Sequence, residues 1–345
     1  MPYPELLPWY QECKRTLPFR GTHDPYAIWI SEIMLQQTRT ETVAGYFERF
    51  LSRFPNVADL AAADEQEVLK YWEGLGYYSR ARNLHRAAKL IMEKYNGSFP
   101  KSYDELRALP GIGDYTAAAI SSIAYHLPYP AVDGNLTRVI SRVHGVREDV
   151  GIPSVRRKIL SLAQQNIDHD KPGDWNQALM DIGATICIPG TPDCSRCPLA
   201  ERCDANAEGD ADLLPVRAAA KPPKPVDVAV GIITCGDRVL VFRRDVALLR
   251  GLWVFLLNEG DSSPASFEKF LPSCHLSSEP RFLREARHVF THRIWDMRIY
   301  HLEYTLSAPI RGGVWTDLHD LNNLPMPTAM KAARSEAVRL LSSLI

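Results

Sequence analysis

The sequence has no run of about 18 or more apolar residues, the least that spans a bilayer as a helix. Its first residues, MPYPELLPWYQECKR, carry neither a basic stretch nor an apolar one behind it, so no secretory leader is expected. The expectation is a cytosolic chain. Charge of one sign is missing too: 40 Lys and Arg stand against 41 Asp and Glu, for a net charge of −1. That balance removes the overall basic excess typical of nucleic-acid binders, so any contact with DNA must come from local amides and basic patches. No internal repeat is visible. What remains is ordinary globular composition, 46% hydrophobic and 23% charged, over 345 residues, enough for two or three domains with proper cores.

Cysteine is scarce, and its placement is informative. Of seven, Cys13, Cys235 and Cys274 are scattered, while Cys187, Cys194, Cys197 and Cys203 fall in CIPGTPDCSRCPLAERC with six, two and five residues between them. In a reducing compartment such clustering points to metal rather than disulfides. Four thiolates suit zinc or a [4Fe–4S] cluster, and the spacing alone does not separate the two.

Two compositional regions divide the chain. Up to about residue 207, segments such as DPYAIWISEIMLQQTRTETVAGYFERFLSRF, EQEVLKYWEG, SRARNLHRAAKLIMEKY, YTAAAISSIAYH and NLTRVISRVHG place apolar residues three and four apart between short Gly, Pro or Asp breaks. This region reads as all-α. Residues 208–225, rich in Ala, Pro and charge, read as a linker. From 226 to 345 the pattern changes: DVAVGIITCGDRVLVFRRD is two β-rich runs around a turn, and HVFTHRIWDMRIYHLEYTL alternates as a strand does, giving an α+β region.

Within the helical region, LPGIGDYTAAA (109–119) puts Gly111 and Gly113 in a tight turn that opens a small-residue helix. Such a turn lets an anion approach the backbone amides closely. An acidic VDGN follows about twenty residues on. Asp133 there is a natural N-cap for a helix starting near Asn135. Glu32, flanked by Trp29, Ile30, Ile33, Met34 and Leu35, is either turned to solvent or buried with a raised pKa. One desolvated, proton-bearing carboxyl and one ionised carboxyl form the pair that glycosidic cleavage requires.

SEIMLQQT, EGLGYYSRARNLH, LPGIGDYTA, VDGNLTRV, WNQALMDIGA and the four-cysteine loop occur in this order. Together they resemble the MutY family of adenine glycosylases, among the helix-hairpin-helix DNA glycosylases that include endonuclease III. The resemblance implies a six-helix barrel with the hairpin, a helical lobe carrying a [4Fe–4S] cluster on Cys187, Cys194, Cys197 and Cys203, and an α+β Nudix-like C-terminal domain. It assigns Glu32 to protonation of N7 of adenine and Asp133 to stabilising the oxocarbenium sugar, with Asn135 and Tyr115 positioning that carboxylate and the nucleophile. The base must leave the duplex first. Arg20 and Gln177 would hydrogen-bond the extruded adenine, Gln177 offering both a donor and an acceptor. Leu35 joins the substrate-binding set. Gln37 and Tyr77 would wedge around the opposite base, with Thr38 and Leu75 nearby, and Gly111 and Gly113 would meet the DNA backbone. Arg196 and Arg202 would be available to phosphates.

In bifunctional relatives a lysine stands where this chain has Tyr115, attacks the sugar and nicks the strand. A phenol forms no imine, so the implied enzyme removes the base without a strong lyase step. The family's Phe-Ser-His loop, which reads 8-oxoguanine, is here Phe290, Thr291, His292, and Phe19 stands where tryptophan is common. The sequence matches the Nudix core at GLWVF (251–255), yet the clustered glutamates that would hold Mg²⁺ do not follow it. The expected activity is monofunctional removal of adenine opposite 8-oxoguanine or guanine by a monomer on double-stranded DNA at the nucleoid. The rivals are an endonuclease III-like pyrimidine glycosylase with lyase activity and a non-catalytic binder of damaged DNA.

Overall fold

A computed structural model describes residues 3–219, 222–271, 279–304, 310 and 312–343. Two compact units emerge, one of residues 1–62 and 83–219, the other of residues 63–82 and 220–345. The division near 220 falls in the Pro-rich linker. Segment 63–82, in contrast, leaves the helical region that surrounds it in sequence and packs with the second unit.

The helices are α1 (Leu6–Cys13), α2 (Pro25–Leu35), α3 (Thr40–Arg53), α4 (Val57–Ala62), α5 (Glu65–Tyr71), α6 (Ser79–Tyr95), α7 (Tyr103–Arg107), α8 (Asp114–Tyr125), α9 (Gly134–Val143), α10 (Pro153–Asn166), α11 (Pro172–Thr185) and α12 (Asp204–Glu208). Asp24 starts α2 by accepting from the amides of Tyr26 and Ala27, with Pro25 in the first turn where its missing N–H costs nothing. Every residue from Tyr26 to Met34 is buried, so α2 is a central helix rather than an amphipathic one. That is why Glu32 is inside. The long helical reading of residues 24–54 breaks here, because Gln37 takes φ +58° and separates α2 from α3. Helix α2 packs on α8, and α11 packs on α8 and α9. Two glycines permit that closeness: a Cβ on Gly173 would meet the backbone of Ile123 at 2.9 Å, and one on Gly183 would meet Asn135 Cβ at 2.6 Å.

In the second unit, strands β1 (Lys224–Cys235), β2 (Arg238–Arg243), β3 (Trp253–Val254), β4 (Leu256–Glu259), β5 (Arg281–Val289), β6 (Arg293–Glu303) and β7 (Gly313–Thr316) form one mixed sheet. Its path is β3-β2-β1-β6-β5, with β4 on β1 and β7 on β2, and β1 runs parallel to β6. The alternating stretch from His288 to Leu306 is therefore two strands: its described part holds the end of β5, a tight hairpin and β6, with Phe290 N–H donating to Arg293 O at 2.8 Å. Trp295, Met297 and Ile299 line one buried face together with α15 (Lys331–Ser342), while Tyr300 and Leu302 line the other with Phe267 of α13 (Pro264–Phe270). The short helix α14 (Leu318–Asn323) closes the first face through Leu321.

Helix α5 and the turn after it are tied to this unit's β3 edge and to its helices by direct bonds. Gln66 donates to Gly251 O at 3.1 Å and accepts from Trp253 Nε1 at 2.8 Å, Lys70 donates to Asn322 O at 2.7 Å, and Glu73 pairs with Arg334 at 2.9 Å. Residues of GLWVF thus serve as the seat for α5, with Leu252 and Phe255 buried behind it.

Candidate active site

A cavity of about 460 Å³ opens in the helical unit, lined by residues of the segment before α2 and of α2, α8, α9 and α11. Glu32, Asp133, Tyr115, Asn135, Arg20, Gln177, Leu35, Gln37 and Thr38 all line it, as does buried Phe19, edge-on to Phe47. Side chains from Arg20 to Gln177, far apart in the chain, are brought to one wall by the close packing of α2, α8, α9 and α11.

Glu32 is 7% exposed and accepts a hydrogen bond from the Tyr115 hydroxyl at 2.5 Å. Burial raises its pKa above the usual carboxylate value, opposed by the Tyr115 bond and by the Arg20 charge. The phenol of Tyr115 is pushed well above its usual value, by burial first and then by the facing Glu32 and Asp133 charges. It is the neutral donor in the pair. Its partner is Glu32, whereas the sequence reading had it positioning the Asp133 carboxylate and the nucleophile.

Asp133 caps α9, accepting from Leu136 N at 2.7 Å and from Asn135 Nδ2 at 3.0 Å. Burial raises this carboxyl as well, and the Leu136 and Asn135 bonds work against it by stabilising the ionised form. The two carboxyls therefore differ in hydrogen bonding: two donors meet Asp133, and one phenol meets Glu32. The cap role does not compete with a chemical one, since each oxygen takes one donor and retains a lone pair toward the cavity. Asn135 is in turn fixed by Arg138, which donates to Asn135 Oδ1 at 3.0 Å, to Gly183 O at 2.6 Å and to Cys187 O at 2.6 Å.

Gln177 is buried, and its Oε1 accepts from Tyr10 Oη at 3.1 Å and from Arg20 Nη1. Its carbonyl is thereby used up within the protein. The free end is the amide donor, whereas the sequence reading had Gln177 offering both a donor and an acceptor. Arg15, Arg138, Met180 and Asp181 join the site without having been singled out in the sequence; the only signal for the last two was their place in WNQALMDIGA, in helical register with Gln177.

At the hairpin, Gly111 takes φ +79°, and a Cβ there would meet Asn83 Cβ at 2.7 Å. Gly113 has an ordinary φ of −94° and open space where a Cβ would stand, at the N-terminus of α8. The first glycine is required by the turn; the second leaves an amide-bearing surface clear.

In the second unit, Tyr77 has φ +45°, is 44% exposed, and bonds through its hydroxyl to Thr291 Oγ1 at 2.7 Å. Phe290 packs edge-on against Trp295 and His288, leaving Thr291 and His292 at the exposed tip of the β5–β6 hairpin. Leu75, expected near the opposite base, is only 5% exposed, between Gly74 and Gly76, both at positive φ.

Cys187, Cys194, Cys197 and Cys203 are free thiols lining one small cavity of about 20 Å³ beyond α11. Among the described residues, no three His, Cys, Asp or Glu side chains converge tightly enough to hold a metal ion. Burial raises the Cys197 thiol to about 11. The guanidinium of Arg142, 1% exposed, meets Cys187 Sγ at 3.3 Å and otherwise only backbone carbonyls of Ile188, Gly190 and Leu214. A buried cation with no carboxylate partner fits beside anionic sulfur. Of the loop arginines, Arg202 is engaged by Glu5 at 3.0 Å and Arg196 is largely exposed. Among the described residues, no helix is long and apolar enough to cross a membrane.

The helix-hairpin-helix superfamily of base excision DNA repair proteins matches residues 30–165, and the NUDIX domain family matches residues 228–335. The chain is 32% identical to the adenine DNA glycosylase of Homo sapiens, over 94% of this chain and 72% of that one, and 33% identical to that of Rattus norvegicus, over 94% and 76%. A Buchnera aphidicola adenine DNA glycosylase is 42% identical over 58% of this chain and 57% of its own. Among solved structures, a thermostable thymine-DNA glycosylase superposes with a TM-score of 0.55 at 29% identity, covering 59% of this chain and 94% of that one. A non-covalent endonuclease III–DNA complex shares the fold, with a TM-score of 0.51 at 24% identity over 59% of this chain and 93% of that one. With both domains matched in order and 94% of the chain aligned to adenine DNA glycosylases, the chain belongs to the adenine DNA glycosylase family and is a DNA glycosylase of base excision repair.

Proposed function

We propose that this enzyme hydrolyses the N-glycosidic bond of adenine extruded from A:8-oxoguanine and A:G mispairs, without cutting the strand. The observation that carries the reading is the pairing, in one cavity, of buried Glu32 under the Tyr115 phenol with Asp133 held by Leu136 N and Asn135. Glu32, its pKa raised by burial, brings a proton to N7 and turns the base into a leaving group. Asp133, whose two donors favour its ionised form against the effect of burial, faces the sugar as positive charge develops on it. Water then completes hydrolysis. Tyr115 offers no amine, so the sugar is not captured as an imine and the strand survives.

The hairpin amides near Gly113 would take a backbone phosphate, and Gln37 and Thr38 at the cavity rim would follow the gap left by the base. In the second unit, the bonded hydroxyls of Tyr77 and Thr291, with His292, would read the base opposite. Cys187, Cys194, Cys197 and Cys203 would hold a [4Fe–4S] cluster. The four cysteines line one cavity, and Arg142 would supply countercharge. Such a cluster supplies a covalent cross-link of the loop after α11 and no chemistry on the base.

The test is a set of duplexes holding A:8-oxoguanine, A:G, A:T and thymine glycol, scored for released base and, separately, for nicks before alkali. Adenine should leave the first two without nicks. Glu32→Gln should bind the A:8-oxoguanine duplex yet release no adenine, because the amide fills the space and carries no acidic proton. Turnover near that of the unaltered enzyme would remove Glu32 from the acid role, and thymine glycol release with nicking would favour the pyrimidine-glycosylase rival.

A further inference from the structure

Asp181 is a buried carboxylate one helical turn after Gln177 on α11, with a side chain only 2% accessible. Its Oδ1 accepts from Arg15 Nε at 2.8 Å, Arg15 Nη2 at 2.7 Å and Arg20 Nη2 at 3.2 Å, and its Oδ2 from the Arg15 backbone N–H at 3.2 Å. The same Arg20 guanidinium turns its other nitrogen, Nη1, to Gln177 Oε1 and to Tyr10 Oη. A guanidinium is planar and rigid, so anchoring one nitrogen on Asp181 fixes where the other points. With Tyr10 also donating to Oε1, Gln177 cannot rotate its amide without facing two donors with a third. Its Nε2 has no hydrogen-bond partner among the described residues, and Gln177 lines the cavity.

We infer that Asp181 is a positioning residue that sets the hydrogen-bond polarity of the base pocket: through Arg20 it holds Gln177 as a donor only, so the pocket selects a base presenting a ring-nitrogen acceptor. This rests on the reading of the cavity as an adenine site. Adenine offers such acceptors at N1 and N3, apart from the N7 that receives the proton. Asp181→Asn keeps the volume and removes the anion that two guanidiniums share. Arg20, its side chain already 15% accessible, then loses its anchor. The terminal amide torsion of Gln177, broad and two-fold, is then free to turn over. Donor and acceptor would alternate at the wall, and the reading of the acceptor would be lost.

The experiment measures single-turnover base release per active site from A:8-oxoguanine duplexes carrying adenine, 1-deazaadenine or 3-deazaadenine, for the unaltered enzyme and for Asp181→Asn. Comparing the two enzymes cancels the intrinsic reactivity of each base. For one of the two analogues, the adenine-to-analogue rate ratio should fall about tenfold in the variant, the worth of one buried hydrogen bond to a base. A residue that merely holds the fold would lower the active fraction and leave both ratios unmoved, and that outcome overturns the inference. Should Asp181→Asn not fold, Arg20→Lys removes the same fork at a partly exposed position; unchanged ratios there overturn it equally. An unaltered enzyme that releases no adenine from either mispair points instead to the reading of the site, and takes the inference with it.

Discussion

The two glycines of the hairpin should separate stability from DNA binding when each is replaced by alanine. Gly111→Ala forces a side chain onto a φ of +79°. Holding an alanine in that left-handed conformation costs about 1–2 kcal/mol. The new Cβ also meets Asn83 Cβ at 2.7 Å. Relieving such an overlap between the turn and α6 costs about 1–3 kcal/mol more. The sum is roughly 2–5 kcal/mol, which for a unit of this size lowers Tm by roughly 5–15 °C. Gly113→Ala meets nothing within 4 Å at an ordinary φ. The poorer N-cap and the stiffer unfolded chain nearly cancel, leaving stability within about 0.5 kcal/mol of the parent. Its methyl group, however, occupies the clear space before the first amides of α8, so affinity for duplex DNA should fall about tenfold, one phosphate contact's worth. Thermal unfolding and fluorescence anisotropy with a mispaired duplex at fixed salt read the two effects. A Gly111→Ala protein as stable as the parent, or a Gly113→Ala protein with full affinity, would refute the argument.

Tyr115→Phe removes the hydrogen bond that opposes the raised pKa of Glu32, so the carboxyl moves further up and stays protonated to higher pH. Because an acid works only while it holds its proton, the alkaline limb of the single-turnover pH profile should move to higher pH; movement the other way would mean that Glu32 acts ionised. Cys197→Ser should lower the iron content of anaerobically purified protein and with it DNA affinity, measured by metal analysis and anisotropy, whereas parent protein containing zinc and no iron would overturn the cluster assignment.

Motif order and residue type were enough to name the catalytic candidates, since the chemistry needs an acid, an anion and a non-amine at set places in the chain. They also indicated the helical and β-rich regions, because periodicity is a local property. Burial was not local. Glu32 could have faced solvent from its own segment, and it is inside because α2 is covered on all sides. The pairing of Tyr115 with Glu32, and the loss of Gln177's acceptor to Arg20 and Tyr10, depend on helices that meet only after folding. Leu75 and Tyr77, two residues apart in one glycine turn, divide between core and surface for the same reason. Segment 63–82 shows the limit most plainly. Its helical pattern predicts a helix and says nothing of its partner. Its partners stand much later in the chain: Gln66 bonds Trp253 of β3, Lys70 bonds Asn322 of α14 and Glu73 pairs with Arg334 of α15. Sequence determines which side chains are available and what local structure they prefer; only packing decides which of their donors, acceptors and charges are already spent on one another, and so what is left for DNA.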